Sequence, residues 1–206
     1  MKLTVKQGRG NKIHIYADGE YQATVDSDFW YSESYKNKTE IDETELTVLL
    51  RAVSFRRAYT KSLDLLSRRP YAAAELASKL REKGFQKETA DSVCERLLEQ
   101  GLLNDESYAE ILAEELARRK GYSPQRIIKE LVFKGVDREI AQNIVESLDI
   151  DIQTRIILLV RKKYAAAVKD EAGRRRTVNA LLRLGYSYYD IKSALKTFEE
   201  FEDDDY

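Results

Sequence analysis

A leucine, three further residues, a glycine and a bulky apolar residue occur three times in this chain, with the glycines 51 and 50 residues apart. The three copies are Leu80–Gly84–Phe85, Leu131–Gly135–Val136 and Leu181–Gly185–Tyr186. A glycine just past the last helical turn adopts a left-handed backbone conformation that other residues avoid, and the apolar residue after it folds back onto the helix. The motif therefore predicts three helix ends built in the same way.

Apolar residues after each glycine repeat as well. Offsets of 9, 10 and 13 residues give Val93, Cys94 and Leu97, then Ile144, Val145 and Leu148, then Ala194, Leu195 and Phe198. This spacing is typical of one face of a helix, and tandem helical units usually present extended surfaces to large partners. The sequence predicts a mainly α fold, with three tandem three-helix repeats forming an elongated body.

The first forty residues follow a different period. Apolar and polar residues alternate there, which predicts short antiparallel strands near residues 2–7, 12–17 and 20–26, with a tight hairpin turn at Asp18-Gly19. Either Phe29–Tyr31 or the first long helix is expected to cover the apolar face of this sheet. The predicted organisation is a β element at 1–41, helical repeats at 42–102, 103–150 and 151–198, and an acidic tail at 199–206.

Signals for helix starts refine this division. A helix is expected from Asp42, with a further helical stretch over residues 59–69 before Pro70. Asn104 is a predicted N-cap, and Ser123-Pro124 supplies a capping hydroxyl followed by proline at the first helical position. The first repeat has Ala72 where the second has Ser123, so its helix lacks that cap.

The charges are nearly balanced in number but unevenly placed. Lys and Arg number 35 against 36 Asp and Glu, yet six of the acids lie after Phe198, which leaves the rest of the chain with a net charge of +5. Residues 118–134 hold six bases and one acid, and residues 155–176 hold eight bases and two acids. Such blocks indicate either an anionic partner or solvated helix faces. The charges alone leave both interpretations open.

Aligning the repeats on their glycines suggests a binding surface. Nine residues before each glycine stand Glu75, Arg126 and Arg176, and two residues before it stand Glu82, Phe133 and Arg183. Both positions are expected to face solvent, because both are charged in at least two copies. Phe133 is then either an exposed aromatic among bases, suited to stacking, or a contact with the neighbouring repeat. The candidate residues for binding a large anionic partner are Arg118, Arg119, Arg126, Lys129, Phe133, Lys134, Arg161, Lys162, Arg174, Arg175, Arg176 and Arg183.

Few residues suited to catalysis are present. His14 is the only histidine and is expected to be an exposed strand residue, so no His-based triad or multi-His metal site is possible. Cys94 is the only cysteine, which excludes an internal disulfide and favours a reducing cytoplasm; it is expected to be buried. No phosphate-binding loop and no stretch of 18 apolar residues occur. We expect a non-enzyme without cofactor or metal.

One segment resembles a known family closely. Residues 101–109 read Gly-Leu-Leu-Asn-Asp-Glu-Ser-Tyr-Ala, and Gly121-Tyr122-Ser123-Pro124 and a Lys134-Gly135 pair follow. Together these resemble the RecX family of recombination regulators, and the resemblance extends over about residues 45–198. It implies a cytoplasmic bacterial protein, without a catalytic motif, that binds the RecA filament on single-stranded DNA. The resemblance also implies that the protein inhibits the ATPase, strand-exchange and co-protease activities of that filament and so restrains the SOS response.

Departures from the family pattern leave alternatives. The third repeat is the most divergent, with Arg174-Arg175-Arg176 and no Ser-Pro pair, and the N-terminal sheet resembles extensions found in only part of the family. A direct DNA-binding helical protein, acting as a repressor or architectural factor, and a purely protein-binding helical scaffold are the alternatives. We expect a monomer that binds bare DNA weakly at most, makes no membrane contact, and carries a mobile acidic tail that screens its basic surface.

Overall fold

The computed structural model describes the backbone of residues 1–203 and the side chains of residues 1–200. The chain forms two compact units that divide between Leu103 and Asn104. The first unit holds the N-terminal sheet and the first helical repeat, and the second unit holds the other two repeats. Within residues 1–203, no helix is long and apolar enough to cross a membrane.

The N-terminal sheet has three antiparallel strands in the order β1 (Leu3–Gln7), β2 (Lys12–Ala17) and β3 (Glu20–Asp26). These bounds confirm the strands predicted from alternation. Asp18 and Gly19 both have positive φ, at 49° and 85°, which is the geometry that a two-residue hairpin turn requires. The register between β2 and β3 shifts at Ile15/Tyr16, so Tyr16 lies opposite Tyr21.

The apolar face of the sheet is covered by two helices. Trp30 comes from the short helix α1 (Ser27–Ser32), and Leu49 and Val53 come from the long helix α2 (Glu43–Leu66). They pack with Leu3, Ile13, Ile15, Ala23, Val25 and Ile41. Both coverings considered from the sequence are therefore used together. A 3₁₀ turn, Ser34–Asn37, and a capping box formed by Asp42 and Glu45 lead into α2.

The prediction of separate helical stretches before and after residue 58 is wrong. α2 is one helix of 24 residues that lies in two cores in turn. Leu49 and Val53 pack against the sheet, while Ala58 and Leu65 pack in the first repeat. Whether the sheet can be removed without unfolding the repeat stays a prediction, and its deletion would uncover the first half of α2.

The first repeat combines the second half of α2 with α3 (Ala73–Glu82) and α4 (Lys87–Glu99). Gly84 has φ 89°, and the Phe85 N–H donates to the Leu80 carbonyl at 3.2 Å, as in a Schellman helix end. Gly135 and Gly185 have φ 91° and 94°, with the same bond from the residue that follows each glycine. The three predicted helix ends are confirmed.

The second repeat contains α5 (Asp105–Glu115), α6 (Pro124–Phe133) and α7 (Arg138–Ser147). Asn104 accepts a hydrogen bond from the Ser107 N–H, and Ser123 accepts one from the Arg126 N–H, so both predicted caps are confirmed. α5 continues into a π-helical turn, Leu116–Lys120, which ends at Gly121 with φ 70°.

The third repeat contains α8 (Ile152–Lys163), a 3₁₀ turn at Ala167–Lys169, α9 (Glu171–Arg183) and α10 (Tyr188–Asp203). Its core includes Ile156, Val160, Leu181, Tyr186, Ile191, Leu195 and Phe198. α10 continues past Glu199 to Asp203, so residues 199–203, assigned to the acidic tail, extend the last helix, and the mobility of the tail stays a prediction. The tail expected at residues 204–206 lies outside the described residues.

Candidate functional site

One face of α6 carries the aligned positions singled out in the second repeat. Arg126, Lys129 and Phe133 lie on successive turns of this helix, which Ser123 and Pro124 start and Gly135 ends. Phe133 is 84% exposed, so it does not pack against a neighbouring repeat in this structure. An aromatic ring held in water beside two bases is suited to stacking on a flat partner group.

Arg126 is less exposed than expected. Its side chain is 34% exposed, and its guanidinium lies 4.0 Å from the centre of the Tyr122 ring. Nη2 donates to the Tyr122 hydroxyl at 3.3 Å, and Nε lies 3.6 Å from a carboxylate oxygen of Glu130. These contacts hold Arg126 in one orientation, with part of its charge already balanced by Glu130.

The third repeat contributes bases next to this helix start. The Ser123 N–H donates to the Leu184 carbonyl at 3.0 Å, so the end of α9 lies against the start of α6. A Cβ placed on Gly185 would lie 2.7 Å from the Arg126 Cβ, which shows how closely the two backbones approach. Arg183, near the end of α9, is exposed, as are Lys129 and Arg176. None of these three has an ion-pair partner among the side chains that the structure describes.

A second group of bases surrounds a cleft of about 160 Å³ within the same unit. The residues that line it are Arg118, Arg119, Gly121, Arg155, Leu158, Leu159, Lys162 and Lys163. Five of these residues are basic and none is acidic. Arg119 is also within 3.4 Å of Glu115 on the preceding turn, in a pair so exposed that it balances little of the cleft's charge.

Arg155 is the most enclosed base of this cleft. Its guanidinium donates to the Ala117 carbonyl, which ties α8 to the end of α5, and its Nε is buried without a hydrogen-bond partner. Nearby, the Tyr186 hydroxyl donates to the Gly121 carbonyl at 3.1 Å. Burial raises the pKa of Tyr186, while the Arg155 charge acts in the opposite direction. The positive cleft is therefore built on a fixed junction between repeats.

The remaining candidate residues either lie scattered on the surface or already form an ion pair within the protein. Arg161 and Arg175 are exposed, and Lys134 is half-buried at the end of α6. Arg174 pairs with Glu199 of α10 at 2.6 Å, so its charge is already matched within the repeat. The structure thus brings Arg126 close to the end of α9 and brings Arg118, Arg119 and Lys162 together, but it turns Arg174 toward an acid. That the tail screens the basic surface stays a prediction.

Three further residues lie next to the candidate residues, although the sequence patterns did not single them out. Arg155 and Lys163 line the cleft, and Tyr122 orients Arg126. Lys163 lies in the run Arg161-Lys162-Lys163, a signal that was available. The position of Arg155 depends on a contact with Ala117, 38 residues away, which no local pattern reveals.

His14 and Cys94, the single histidine and the single cysteine, both lie in the part of the chain that the structure describes. No group of three or more His, Cys, Asp or Glu side chains there is arranged to hold a metal ion. Cys94 is buried as expected. The expectation that His14 is exposed is wrong: it is half-buried, and its Nδ1 lies 2.7 Å from the Thr24 hydroxyl.

Comparison with known proteins identifies the family. The model of the first three-helix domain of RecX matches residues 58–97, and the model of the second three-helix domain matches residues 104–143. A regulatory protein RecX from Caldanaerobacter subterraneus subsp. tengcongensis is 30% identical over 144 residues, which cover 70% of this chain and 73% of the relative. This chain belongs to the RecX family. The resemblance drawn from residues 101–135 is confirmed.

Other RecX proteins extend the comparison. The regulatory protein RecX of Pseudomonas savastanoi pv. phaseolicola is 36% identical over 128 residues, covering 62% of this chain and 80% of the relative. A crystal structure of a regulatory protein RecX superposes with a TM-score of 0.67 at 20% identity, covering 93% of this chain and 98% of that one. RecX from Lactobacillus salivarius gives 0.60 at 23% identity, covering 71% and 97%. These two structures establish a shared fold.

The RecX match also locates the candidate surface. The α6 residues and Arg118–Arg119 lie inside the second three-helix domain, whereas the bases of α8 and α9 lie beyond the two matched ranges. The relatives that match this chain are named regulatory proteins. The candidate surface therefore combines a family domain with the third repeat, which lies outside the two matched ranges.

Proposed function

We propose that this protein regulates homologous recombination and the SOS response by binding the RecA filament on single-stranded DNA. Binding would inhibit the filament's ATPase, strand-exchange and co-protease activities, and would require neither catalysis nor a cofactor. Membership of the RecX family carries the proposal. We place the protein in the bacterial cytoplasm, where that filament forms, and expect it to act as a monomer.

Local groups of bases in the second unit support the same conclusion. Five bases line the cleft between α5 and α8, which has no acid in its lining, and further exposed bases lie on α6 and α9. Exposed charges contribute little to folding, so the exposed bases among these are available for a partner, whereas Arg155 is held by the Ala117 carbonyl. A nucleoprotein filament presents phosphates and acidic protein surfaces, which such bases attract over about a Debye length.

The test is inhibition of RecA's DNA-dependent ATPase by a variant that carries Lys129→Glu and Arg183→Glu. Both residues are exposed and have no ion-pair partner among the described side chains, so reversing them should leave the melting temperature nearly unchanged. Replacing attraction by repulsion at two positions should raise the concentration needed for half-inhibition by about tenfold or more at moderate salt.

A variant with the same change in net charge provides the control. Lys87→Glu with Arg96→Glu reverses two exposed bases on α4, in the other unit. Glu75 is a poorer control, because it is only 14% exposed and pairs with Arg69 at 3.2 Å. If both double variants inhibit as well as the wild type, the surface formed by Arg126 and Lys129 on α6 with Arg176 and Arg183 on α9, the α6–α9 surface, does not contact the filament. If neither variant nor the wild type inhibits the ATPase, the proposed function itself is wrong.

A further inference from the structure

The open face of the N-terminal sheet carries a cluster of aromatic rings that the helical repeats do not use. His14, Tyr16 and Tyr21 lie on the face opposite the apolar core. The Tyr16 and Tyr21 ring centres are 5.9 Å apart, and those of His14 and Tyr21 are 6.2 Å apart, both in edge contact. Lys6 Nζ lies 4.9 Å from the centre of the Tyr16 ring. Rings and a cation therefore share one surface.

The register shift in the sheet gives Tyr21 its place in this cluster. Strict alternation along β3 would put Tyr21 on the same face as the buried residues Ala23 and Val25. The irregularity at Ile15/Tyr16 sets Tyr21 opposite Tyr16, as bulges re-aim side chains in other sheets. The Tyr21 hydroxyl lies 2.8 Å from the Thr24 hydroxyl, which also contacts His14. The ring is thus fixed at its edge, while 57% of the residue is exposed.

A basic cavity of about 690 Å³ adjoins the ring cluster along the β3 edge. Tyr21 and Thr24 form part of its wall, together with residues of α2 and the α3–α4 link. The charged residues that line it are Lys12, Asp26, Arg56, Arg57, Lys61, Asp64 and Lys83. Its volume falls within the range of about 300 to 1,000 Å³ that is usual for small-ligand sites.

Both acids of the cavity are already paired. Asp26 binds Lys12 at 2.6 Å, and Asp64 binds Lys61 at 2.5 Å. Arg56, Arg57 and Lys83 remain, and all three are exposed without an ion-pair partner among the described side chains. The cavity therefore has a net charge of +3 beside an exposed tyrosine ring, an arrangement that attracts anions and offers a flat apolar surface.

We propose that this cavity and the open face of the sheet bind a segment of single-stranded DNA, with an unpaired base stacked on Tyr21 and phosphates at Arg56, Arg57 and Lys83. Single strands are bound in general by aromatic side chains that stack on bases and by a basic groove that follows the backbone. A duplex keeps its bases paired and cannot present one to Tyr21. The site belongs to the first unit, whereas the α6–α9 surface belongs to the second, and it does not depend on a recombinase.

The experiment measures fluorescence anisotropy of a labelled oligothymidylate of about 12 nucleotides, within the usual span of such sites, with the full-length chain. Tyr21→Ala should weaken binding roughly 5- to 100-fold, because a stacked base is lost, whereas Tyr21→Phe should bind nearly as the wild type does. Tyr31→Ala is the matched control, since Tyr31 is 60% exposed in the same unit but lies outside the cavity. Circular dichroism melts check that each variant is folded.

The phosphate contacts have a separate readout. Arg56→Ala with Arg57→Ala should lower the dependence of log K on log salt by about 1.4, at roughly 0.7 for each phosphate contact on single strands. Photocrosslinking of a bromodeoxyuridine oligonucleotide should label the peptide that contains Tyr21. Loss of stacking lowers the affinity, whereas loss of a phosphate contact lowers the salt dependence of the affinity. The aromatic part and the basic part of the site are therefore tested independently.

Several outcomes would overturn the proposal. Unchanged binding by Tyr21→Ala, or equal loss with Tyr31→Ala, would show that Tyr21 does not stack on a base. Tighter binding of a duplex or of oligouridylate would reject single-stranded DNA as the ligand, and equal competition by polyglutamate would reduce the site to a general anion surface. None of these results depends on inhibition of RecA, so a failure here is distinct from a failure of the filament proposal.

Discussion

The first and second repeats share a backbone design but distribute charge differently. Each repeat places an arginine over the tyrosine that lies 13 residues before its glycine: Arg69 is 3.6 Å from the Tyr71 ring, and Arg126 is 4.0 Å from the Tyr122 ring. In the first repeat the arginine precedes the helix and pairs with Glu75, the position that Arg126 occupies in the second repeat. The comparison shows that the two repeats keep the helix stop and the arginine–tyrosine contact, whereas the charge at the aligned position differs between them.

The largest expected effect on stability comes from replacing a helix-end glycine by alanine. Gly84 and Gly185 share a backbone conformation but differ in the atoms that surround them. A Cβ at Gly185 would lie 2.6 Å from the Ser123 hydroxyl and 2.7 Å from the Arg126 Cβ, whereas nothing lies within 4 Å of one at Gly84. Gly84→Ala should therefore cost about 1 kcal/mol for the left-handed backbone alone, and Gly185→Ala about 2 to 4 kcal/mol with overpacking added. Urea unfolding measures both. Equal losses would contradict the close approach of α9 to α6.

Features that depend on near neighbours were predictable from the sequence. The hairpin turn at Asp18-Gly19, the caps at Asn104 and Ser123, and the three glycine stops all arise from contacts within a few residues. The family resemblance rested on similar local runs. The continuity of α2 was not predictable in this way, because the helix leaves one core and enters another near residue 58, which interrupts its apolar period.

The candidate site was predicted in composition but not in arrangement. The charged residues at its aligned positions made exposure one of the two alternatives left open for Phe133, and the structure shows it exposed. The pairing of Arg174 with Glu199 and the contact of Arg155 with the Ala117 carbonyl join residues 25 and 38 positions apart. Such contacts are set by how helices pack, and a charge count cannot distinguish a base that faces solvent from one held by an acid.

Caps at the aligned helix starts provide a second comparison. Ser123 accepts the Arg126 N–H at 3.3 Å, while Ala72 starts α3 without any side-chain bond. Ser123→Ala should lose about 1 kcal/mol of unfolding free energy, and Ala72→Ser should gain about 0.5 to 1 kcal/mol. Opposite signs in denaturant melts would support the alignment of the two repeats. A loss from Ala72→Ser would mean that the buried site cannot accommodate the hydroxyl.

The arginine–tyrosine pairs offer a smaller and more symmetrical test. Double-mutant cycles that combine Arg126→Met with Tyr122→Leu, and Arg69→Met with Tyr71→Leu, isolate the interaction in each pair from the packing that each ring makes. Both coupling energies should be about 0.5 to 1 kcal/mol, since the geometry of cation over ring is similar. If only one pair has a measurable coupling energy, the contact between arginine and tyrosine does not stabilise the other repeat.

The smallest expected effect is on stability at acid pH, and it concerns the first helices of the second and third repeats. The helix of the second repeat begins with a neutral cap, and that of the third repeat begins with a charged cap. Asn104 starts α5, whereas Asp151 starts α8 and accepts bonds from the Thr154 hydroxyl at 2.5 Å and the Gln153 N–H at 3.0 Å. The Thr154 hydroxyl, with the backbone amides, holds the pKa of Asp151 below its usual value. Its stabilisation is therefore fully present above the unfolded-state pKa, about 4, and is lost as the pH falls through the lower folded-state value.

Replacing Asp151 by asparagine should keep the cap but remove this dependence on pH. Thermal melts between about pH 7 and pH 3 should show the melting temperature of the wild type falling more steeply below pH 4 than that of Asp151→Asn. The reciprocal change, Asn104→Asp, should add a dependence of the same sign at α5, because a carboxylate at a helix start is favoured by the backbone N–H groups only while it is ionised. Parallel acid limbs for all three proteins would show that Asp151 does not sense its helix, and that a charged cap and a neutral cap are equivalent in these repeats.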